Sequence, residues 1–370
     1  MYVMQSAPGN RTVVNGCEID YYGGTGYFGL QGQPELLKAA CDAVKKYGIC
    51  TATSRFGYGD NPVLLEVEER ASAFFGKESA LYLATGYLGN AILLQGLRDR
   101  YDIIFVDEAS HHSVFDGAHT AKKPIVDFAH LDADDLGKKV REHLKPSQRP
   151  LLICDGVFPV SGEISPIPDY ISVLENFDHA LICVDDAHAT GVIGEQGRGT
   201  YDYFGLNGNR LFASYTLSKA LGGYGGIIPG DKPFIDELRK SSEIFHGASP
   251  VPTPAAAAAS KGLEMIMRQP ELRQRLWENV FYAKAGLRKL GFDIPDTPVP
   301  IICLHQEQMD LKKIQHKLFE KGIGVLYTAG GSYSSVPECG AIRIAIFSTH
   351  TKEQIDRLVD AVERSMNEVS

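Results

Sequence analysis

The stretch ALICVDDAHATG, residues 180–191, is an apolar run that stops at two aspartates and a histidine. Leu181, Ile182, Cys183 and Val184 have the length of a buried strand, and no polar residue alternates with them. A strand apolar on both sides belongs to a parallel sheet with helices on each face. In such sheets ligands bind beyond the carboxyl ends of the strands, which is where Asp185 and His188 fall. Three residues apart, they can face one crevice. The same pair also reads as a helix cap beside a structural histidine, or as two metal ligands. Residues 180–191 alone leave these readings open.

The surrounding chain repeats the pattern. DIIFVDEAS (102–110), PLLICDGVF (150–158) and RLFASYTLSK (210–219) are short apolar runs ending in polar or small residues. Helical patterns lie between such runs: Pro62 to Phe75 with apolar Leu64, Leu65, Val67 and Phe74, then LDADDLGKKVREHL (131–144), then SPIPDYISVLENF (165–177). Strand–helix alternation predicts an α/β fold with a mostly parallel sheet covered on both faces. After about residue 250 the texture changes. SPVPTPAAAAASKGLEMI (249–266) starts a helix behind prolines. Leu272, Leu276, Val280, Ala283, Leu287 and Leu290 then recur at helical spacing. VPIICLH, GIGVLYTA and GAIRIAIFS read as strands, and a last helix carries Ile355, Leu358, Val359 and Val362. The expected division is a large ligand-binding domain over 46–255 and a smaller α+β domain over 256–370, which residues 1–45 join.

The 370 residues carry a net charge of −9, with 44% hydrophobic and 22% charged side chains. This argues against nucleic acid as a partner, since no basic tail or face is present. No apolar run approaches the roughly 20 residues needed to span a bilayer. MYVMQSAPGNRTVVNG has no basic start, apolar core or cleavage site, so a secretory signal is not expected. The seven cysteines are widely spaced with no CxxC pair. That suits buried free thiols in a reducing cytoplasm and not a zinc or disulfide framework.

TLSKALGGYGG (216–226) poses the chemical question, because Lys219 precedes four glycines. A Walker loop places its glycines before the lysine, so that route to phosphate fails. No GxGxxG opens the first helix either. DEASHHSVFDG (107–117) puts His111 and His112 beyond a strand. LATGYLGN (83–90) runs into a helical stretch, and Thr85, Gly86 and Tyr87 at a helix start suit an anion. Each signal is weak alone. Together they describe one ligand with a phosphate (Thr85, Gly86, Tyr87, Thr216), a basic ring nitrogen (Asp185), a hydroxyl (His188), a flat face (His111) and an aldehyde (Lys219). Pyridoxal 5′-phosphate has all five, and the pattern calls for no metal.

The ordered set TGYLGN, HHSVFDG, AHLD, DGVFPVSGEISPI, VDDAHATGVIGEQGRG, TLSKALGG and IRIAIFSTHT resembles the α-oxoamine synthases, a group of fold-type I pyridoxal-phosphate enzymes. The likeness runs from DYYGGTGYFGL (20–30) to the final helix. It implies a decarboxylative C-acyltransferase that joins a small amino acid (glycine, alanine or serine) to an acyl-CoA and releases CO2, CoA and an α-aminoketone. It also implies a homodimer with shared active sites.

Carried over by position, Lys219 binds the cofactor's aldehyde and moves protons at the substrate α-carbon. Asp185 keeps the ring nitrogen protonated, His188 bonds the ring hydroxyl, and His111 stacks on the ring. Thr216 joins residues 85–87 at the phosphate, and Ser249 reaches the partner subunit's phosphate. Arg343 grips the amino-acid carboxylate, with Arg55 as a further substrate residue. Aminotransferases of this fold usually have tyrosine at the position of His188.

Several positions depart from the group's pattern. Pro159 stands for a serine, Asp155 for a glutamate, Ser161 for an aspartate and Leu131 for an asparagine. ICTATSR replaces a glycine-rich run before Arg55. These departures motivate an alternative, an aminotransferase, aldolase or decarboxylase on the same fold. A non-catalytic binding module is the remaining class, and the presence of Lys219 argues against it.

Overall fold

A computed structural model describes every residue except Asp178, Ser332, Tyr333, Ser335 and Ser370. The chain divides into two compact units. The larger comprises Pro34–Phe158 and Ile164–Arg268, the smaller Met1–Gln33, Pro159–Glu163 and Gln269–Ser370. The larger unit thus takes in Pro34–Tyr47 and all of Thr253–Arg268, beyond the limits read from sequence. Those two helices pack on each other, a pairing that no local pattern announces.

The larger unit holds a seven-stranded sheet. Its spatial order is Ser79–Leu83, Gly226–Gly230, Leu211–Thr216, Leu181–Asp185, Pro150–Asp155, Ile103–Asp107, Ile125–Phe128. Every neighbouring pair from Leu211–Thr216 outward to Ile125–Phe128 is parallel. Gly226–Gly230 runs antiparallel to both its neighbours. Sequence reading passed over GIIPG because glycine and proline weaken a strand. The proline is tolerated because the ladder to Leu211–Thr216 reaches only Gly226 and Ile227.

Leu81, Leu94, Ile104, Leu151 and Ile228 are fully buried in one apolar cluster with the covering helices. Each such side chain contributes about 1.5–3 kcal/mol. Pro62–Phe75 shows how the helices are bounded. Asn61 accepts from the Val63 and Leu64 amides at 3.0 and 3.2 Å, Pro62 opens the first turn, and Gly76 ends the helix at a φ of 63°. Leu64, Val67 and Phe74 are buried, while Leu65 is exposed.

Among the described residues the smaller unit contains two three-stranded sheets. GIGVLYTA, expected as one strand, is broken at Val325. Ile323–Gly324 pairs parallel with Cys17–Tyr21, and Leu326–Thr328 pairs antiparallel with Ala341–Ala345. Gln315 Nε2 donates to the freed Val325 carbonyl at 3.3 Å. Glu271–Arg288 and Lys352–Val369 form as the spacing predicts, except that Leu290 lies past the helix end.

The thiols are only partly as expected. All seven are free, and Cys154 and Cys183 are buried, but Cys17, Cys41 and Cys50 are exposed. Among the described residues no helix is long and apolar enough to cross a membrane. None of these residues form a group of three or more His, Cys, Asp or Glu suited to a metal ion.

Leu131 shows the reason for the asparagine usual at its position. Its φ is 57°, the left-handed region, while its N–H donates to Asp107 Oδ2 at 2.9 Å. Asparagine adopts that backbone at lower cost than leucine. Leu131→Asn should therefore stabilise the protein by about 0.5–1 kcal/mol, read as a higher urea midpoint. An unchanged or lower midpoint would show that Leu131 is unstrained.

Candidate active site

Asp107, Asp155, Asp185 and Thr216 end four mutually parallel strands. Their side chains therefore gather at one edge of the sheet, the carboxyl edge where open α/β folds hold ligands. Lys219 sits three residues beyond Thr216 in a tight turn. The turn is closed by Leu217 N to Gly225 O at 2.9 Å, Gly223 N to Leu217 O at 3.0 Å and Gly222 N to Lys219 O at 3.2 Å. Gly222 and Gly225 have φ of 70° and 96°. A Cβ on Gly223 would lie 2.3 Å from Ala259 Cα, so helix Thr253–Arg268 rests directly on this backbone. The glycines after Lys219 thus serve the turn and its packing. The half-buried lysine is presented at the edge, with Nζ 2.7 Å from His188 Nε2. The ammonium or amine donates, and the ring nitrogen accepts.

Asp185 is buried and held from three sides. Asn90 Nδ2 donates at 2.7 Å, Ser113 Oγ at 3.3 Å and the Ala187 amide at 3.0 Å. His111 caps helix His112–Thr120, its Nδ1 accepting from Ser113 N at 3.0 Å. The same nitrogen lies 2.7 Å from Ser113 Oγ. Burial pushes the His111 pKa down, against the pull of Asp185 and with the repulsion of Lys219. The ring is therefore a neutral flat surface. The Asp155 carboxyl group accepts from the His111 amide at 2.6 Å.

At the other end of the site Thr85 opens a single turn over Gly86–Leu88, its Oγ1 accepting from Tyr87 N at 3.3 Å. A Cβ on Gly86 would lie 2.7 Å from Thr216 Oγ1, so only glycine lets this turn reach the end of strand Leu211–Thr216. Thr216 Oγ1 is 2.8 Å from Ser218 Oγ. Two hydroxyls and a short helical turn make a small donor-rich cradle. Tyr87 is exposed, its hydroxyl donates to Asp116 Oδ2, and its ring meets the His111 ring edge-on at 5.9 Å.

These groups fit pyridoxal phosphate. The chain offers an amine, a buried carboxylate for a ring cation, a neutral aromatic face and hydroxyl donors for a phosphate. Asn90, Ser214 and Ser218 were not singled out from sequence. Asn90 and Ser218 do lie within the TGYLGN and TLSK motifs.

Arg343 belongs to the smaller unit, on strand Ala341–Ala345, and is buried. It donates from Nε to Pro159 O at 2.6 Å, from Nη1 to Gly24 O at 3.3 Å and from Nη2 to Tyr27 Oη at 3.5 Å. All three acceptors are neutral. Each Nη keeps a second N–H, the pair that grips a carboxylate end-on. Because Pro159 contributes its backbone carbonyl, the loss of a serine side chain there leaves this bond intact.

Arg55 is differently committed. Its Nε binds Asp60 at 2.6 Å, and Nη1 binds Glu68 at 2.7 Å and Tyr82 O at 3.0 Å. The protein's own carboxylates hold Nε and Nη1, while Nη2 is buried with no hydrogen-bond partner among the described residues, so Arg55 ties the 50–60 loop to the core. Ser249 lies exposed between helices Glu243–Gly247 and Thr253–Arg268.

A sheet of this order, with its lysine past the carboxyl edge, defines a fold-type I pyridoxal-phosphate-dependent transferase. A solved serine palmitoyltransferase from S. paucimobilis, with bound PLP–myriocin aldimine, matches at a TM-score of 0.93 and 26% identity. The match covers 100% of this chain and 92% of that one. The 8-amino-7-oxononanoate synthase 1 of Bacillus subtilis is 33% identical over 368 residues, 99% of this chain and 93% of the relative. A serine palmitoyltransferase of Sphingobacterium spiritivorum is 33% identical over 362 residues, 98% and 90% of the two chains. The profile of the aminotransferase class I and II family matches residues 25–362. The chain belongs to that family, and within it to the α-oxoamine synthases.

Proposed function

We infer that the chain joins a small amino acid to the acyl group of an acyl-CoA, losing carbon dioxide and CoA to give an α-aminoketone. The observation that carries this is the Lys219–His188 contact at 2.7 Å beside the anchored Asp185. It occurs in a chain whose relatives along 98–99% of its length are named for such condensations.

Pyridoxal phosphate supplies an aldehyde that captures the amine and a ring that accepts the electron pair left at the α-carbon. The protein's residues do the rest. Lys219 Nζ takes and returns the α-proton. Asp185 holds a proton on the ring nitrogen by supplying its counter-charge. His188 bonds the ring hydroxyl, and His111 covers one ring face. Thr216, Ser218 and the turn at Thr85, Gly86 and Tyr87 hold the phosphate. Arg343 orients the substrate carboxylate through its two spare N–H groups.

Exposed Ile49, Phe56 and Tyr58 support a homodimer, in which Ser249 serves the partner subunit's phosphate. A single monomeric species in sedimentation would end that part. The free thiols suit a reducing cytoplasm.

The reading is tested with glycine, alanine and serine, each paired with acyl-CoAs of different chain length, while free thiol is followed. Thiol should appear only when amino acid and thioester are both present. A protein that releases none with any pair does not carry out this reaction.

A further inference from the structure

Asp155 and Asp185 end adjacent parallel strands and are register partners, so their side chains leave the sheet on the same face. They are only 2% and 5% exposed. Two carboxyl groups so placed resist ionising together, and one tends to keep a proton. Their hydrogen bonds are unequal. Asp185 accepts from Asn90, Ser113 and the Ala187 amide. Among the described residues the Asp155 carboxyl accepts only from the His111 amide. Donors favour the charged form of the group they serve.

Asn90 is the shortest of the Asp185 donors and the most firmly set. It is fully buried, and its amide oxygen accepts from Ser214 Oγ at 2.7 Å, which turns the nitrogen toward Asp185. A Cβ on Gly117 would lie 2.9 Å from Asn90 Cβ, so helix His112–Thr120 packs hard against it.

We propose that Asn90 is a positioning residue that keeps the negative charge on Asp185 and leaves the proton on Asp155. The other groups around the pair agree in sum. Burial, followed by the charge of Asp185, pushes the Asp155 carboxyl well above the usual range. Asp107 adds to that, while the His111 amide and Lys219 oppose it. The inference rests on the reading of Asp185 as the partner of the cofactor's ring nitrogen. Charge on Asp155 instead would leave that ring cation without its neighbour.

The test titrates pyridoxal phosphate into the cofactor-free forms of wild type, Asn90→Ala, Asp155→Asn and the double variant. It reads the dissociation constant and the melting temperature of each. Loss of one hydrogen bond to a charged group should weaken binding by Asn90→Ala roughly 10–100-fold. Asp155→Asn should bind near wild type, because a neutral amide replaces a neutral acid and its oxygen still accepts from the His111 amide. The double variant should bind more tightly than Asn90→Ala, since the charge then has no second carboxyl to occupy. A purely structural Asn90 would leave the double variant as weak as the single one, which overturns the proposal. So would Asp155→Asn with strongly weakened binding, and that arm decides if Asn90→Ala does not fold. A wild type that binds no cofactor would instead sink the functional reading itself.

Discussion

Lys219→Ala loses turnover and the borohydride-stable link to cofactor together, while its melting temperature stays near that of wild type. The lysine ends a turn held by backbone bonds from Leu217, Gly222 and Gly223, so the alanine variant keeps the turn. What goes is the amine 2.7 Å from His188 Nε2. Its proton-transfer role alone is worth roughly 10²–10⁴-fold in rate, and the covalent hold on the cofactor goes as well. The phosphate end does not depend on Lys219, so the variant still binds pyridoxal phosphate, more weakly. Peptide mapping after borohydride reduction checks this, with wild type giving an adduct at Lys219 and the variant giving none. An adduct on another lysine, or turnover at the wild-type rate, would remove Lys219 from the mechanism.

The second large effect is on stability and involves His350. Its Nδ1 accepts from the Phe347 amide at 2.9 Å, and its Nε2 donates to Tyr21 O at 3.1 Å. The ring stacks on Tyr22 at 4.2 Å between centroids. A second ring proton would face the Phe347 N–H. Burial, against the help of the Tyr21 carbonyl and Asp20, pushes the His350 pKa down to about 4. The folded protein thus refuses a proton that the unfolded chain takes near pH 6.5. The His350 contribution is whole above that pH and is lost as pH falls toward 4, by about 3 kcal/mol in total.

Asp20, which faces this histidine, has its pKa lowered and stays ionised over that window, although burial works against its hydrogen bonds to Gln354 and Arg357. In the larger unit, burial raises the Asp186 carboxyl to about 7. That group works with the opposite sign, gaining stability as pH falls. The test is therefore a difference. Unfolding free energies of wild type and His350→Gln, taken at pH 7 and 4.5, should converge at the lower pH. Parallel slopes would mean that His350 is not the titrating group.

The core of the larger unit was legible because burial on both faces writes continuous apolar runs, and the polar residues ending them mark the sheet edge. Pro62–Phe75 was legible to the residue because its proline and Gly76 are local signals. Gly226–Gly230 was not, since its strand state comes from neighbours at Ser79–Leu83 and Leu211–Thr216 and not from its composition. The break at Val325 likewise depends on two sheets competing for one segment.

In the candidate site, motif order points to Lys219, His111 and His188. The layer behind them was invisible, because Asn90 and Asp185 are 95 residues apart and only folding joins them. The partners of Arg55 are hidden for the same reason. Nothing local to ATSR shows that Glu68 and Asp60 already hold its guanidinium.

The most direct test of the condensation uses an amino acid labelled with carbon-13 at either its carboxyl or its α-carbon, supplied with an acyl-CoA. The products are then read by mass spectrometry. The account predicts that carboxyl label leaves as carbon dioxide, one for each thiol released. The α-carbon label should stay in an aminoketone that also contains the acyl chain. Carboxyl label retained in an oxo acid, with pyridoxamine phosphate formed and no thiol, would make the protein an aminotransferase and contradict the account.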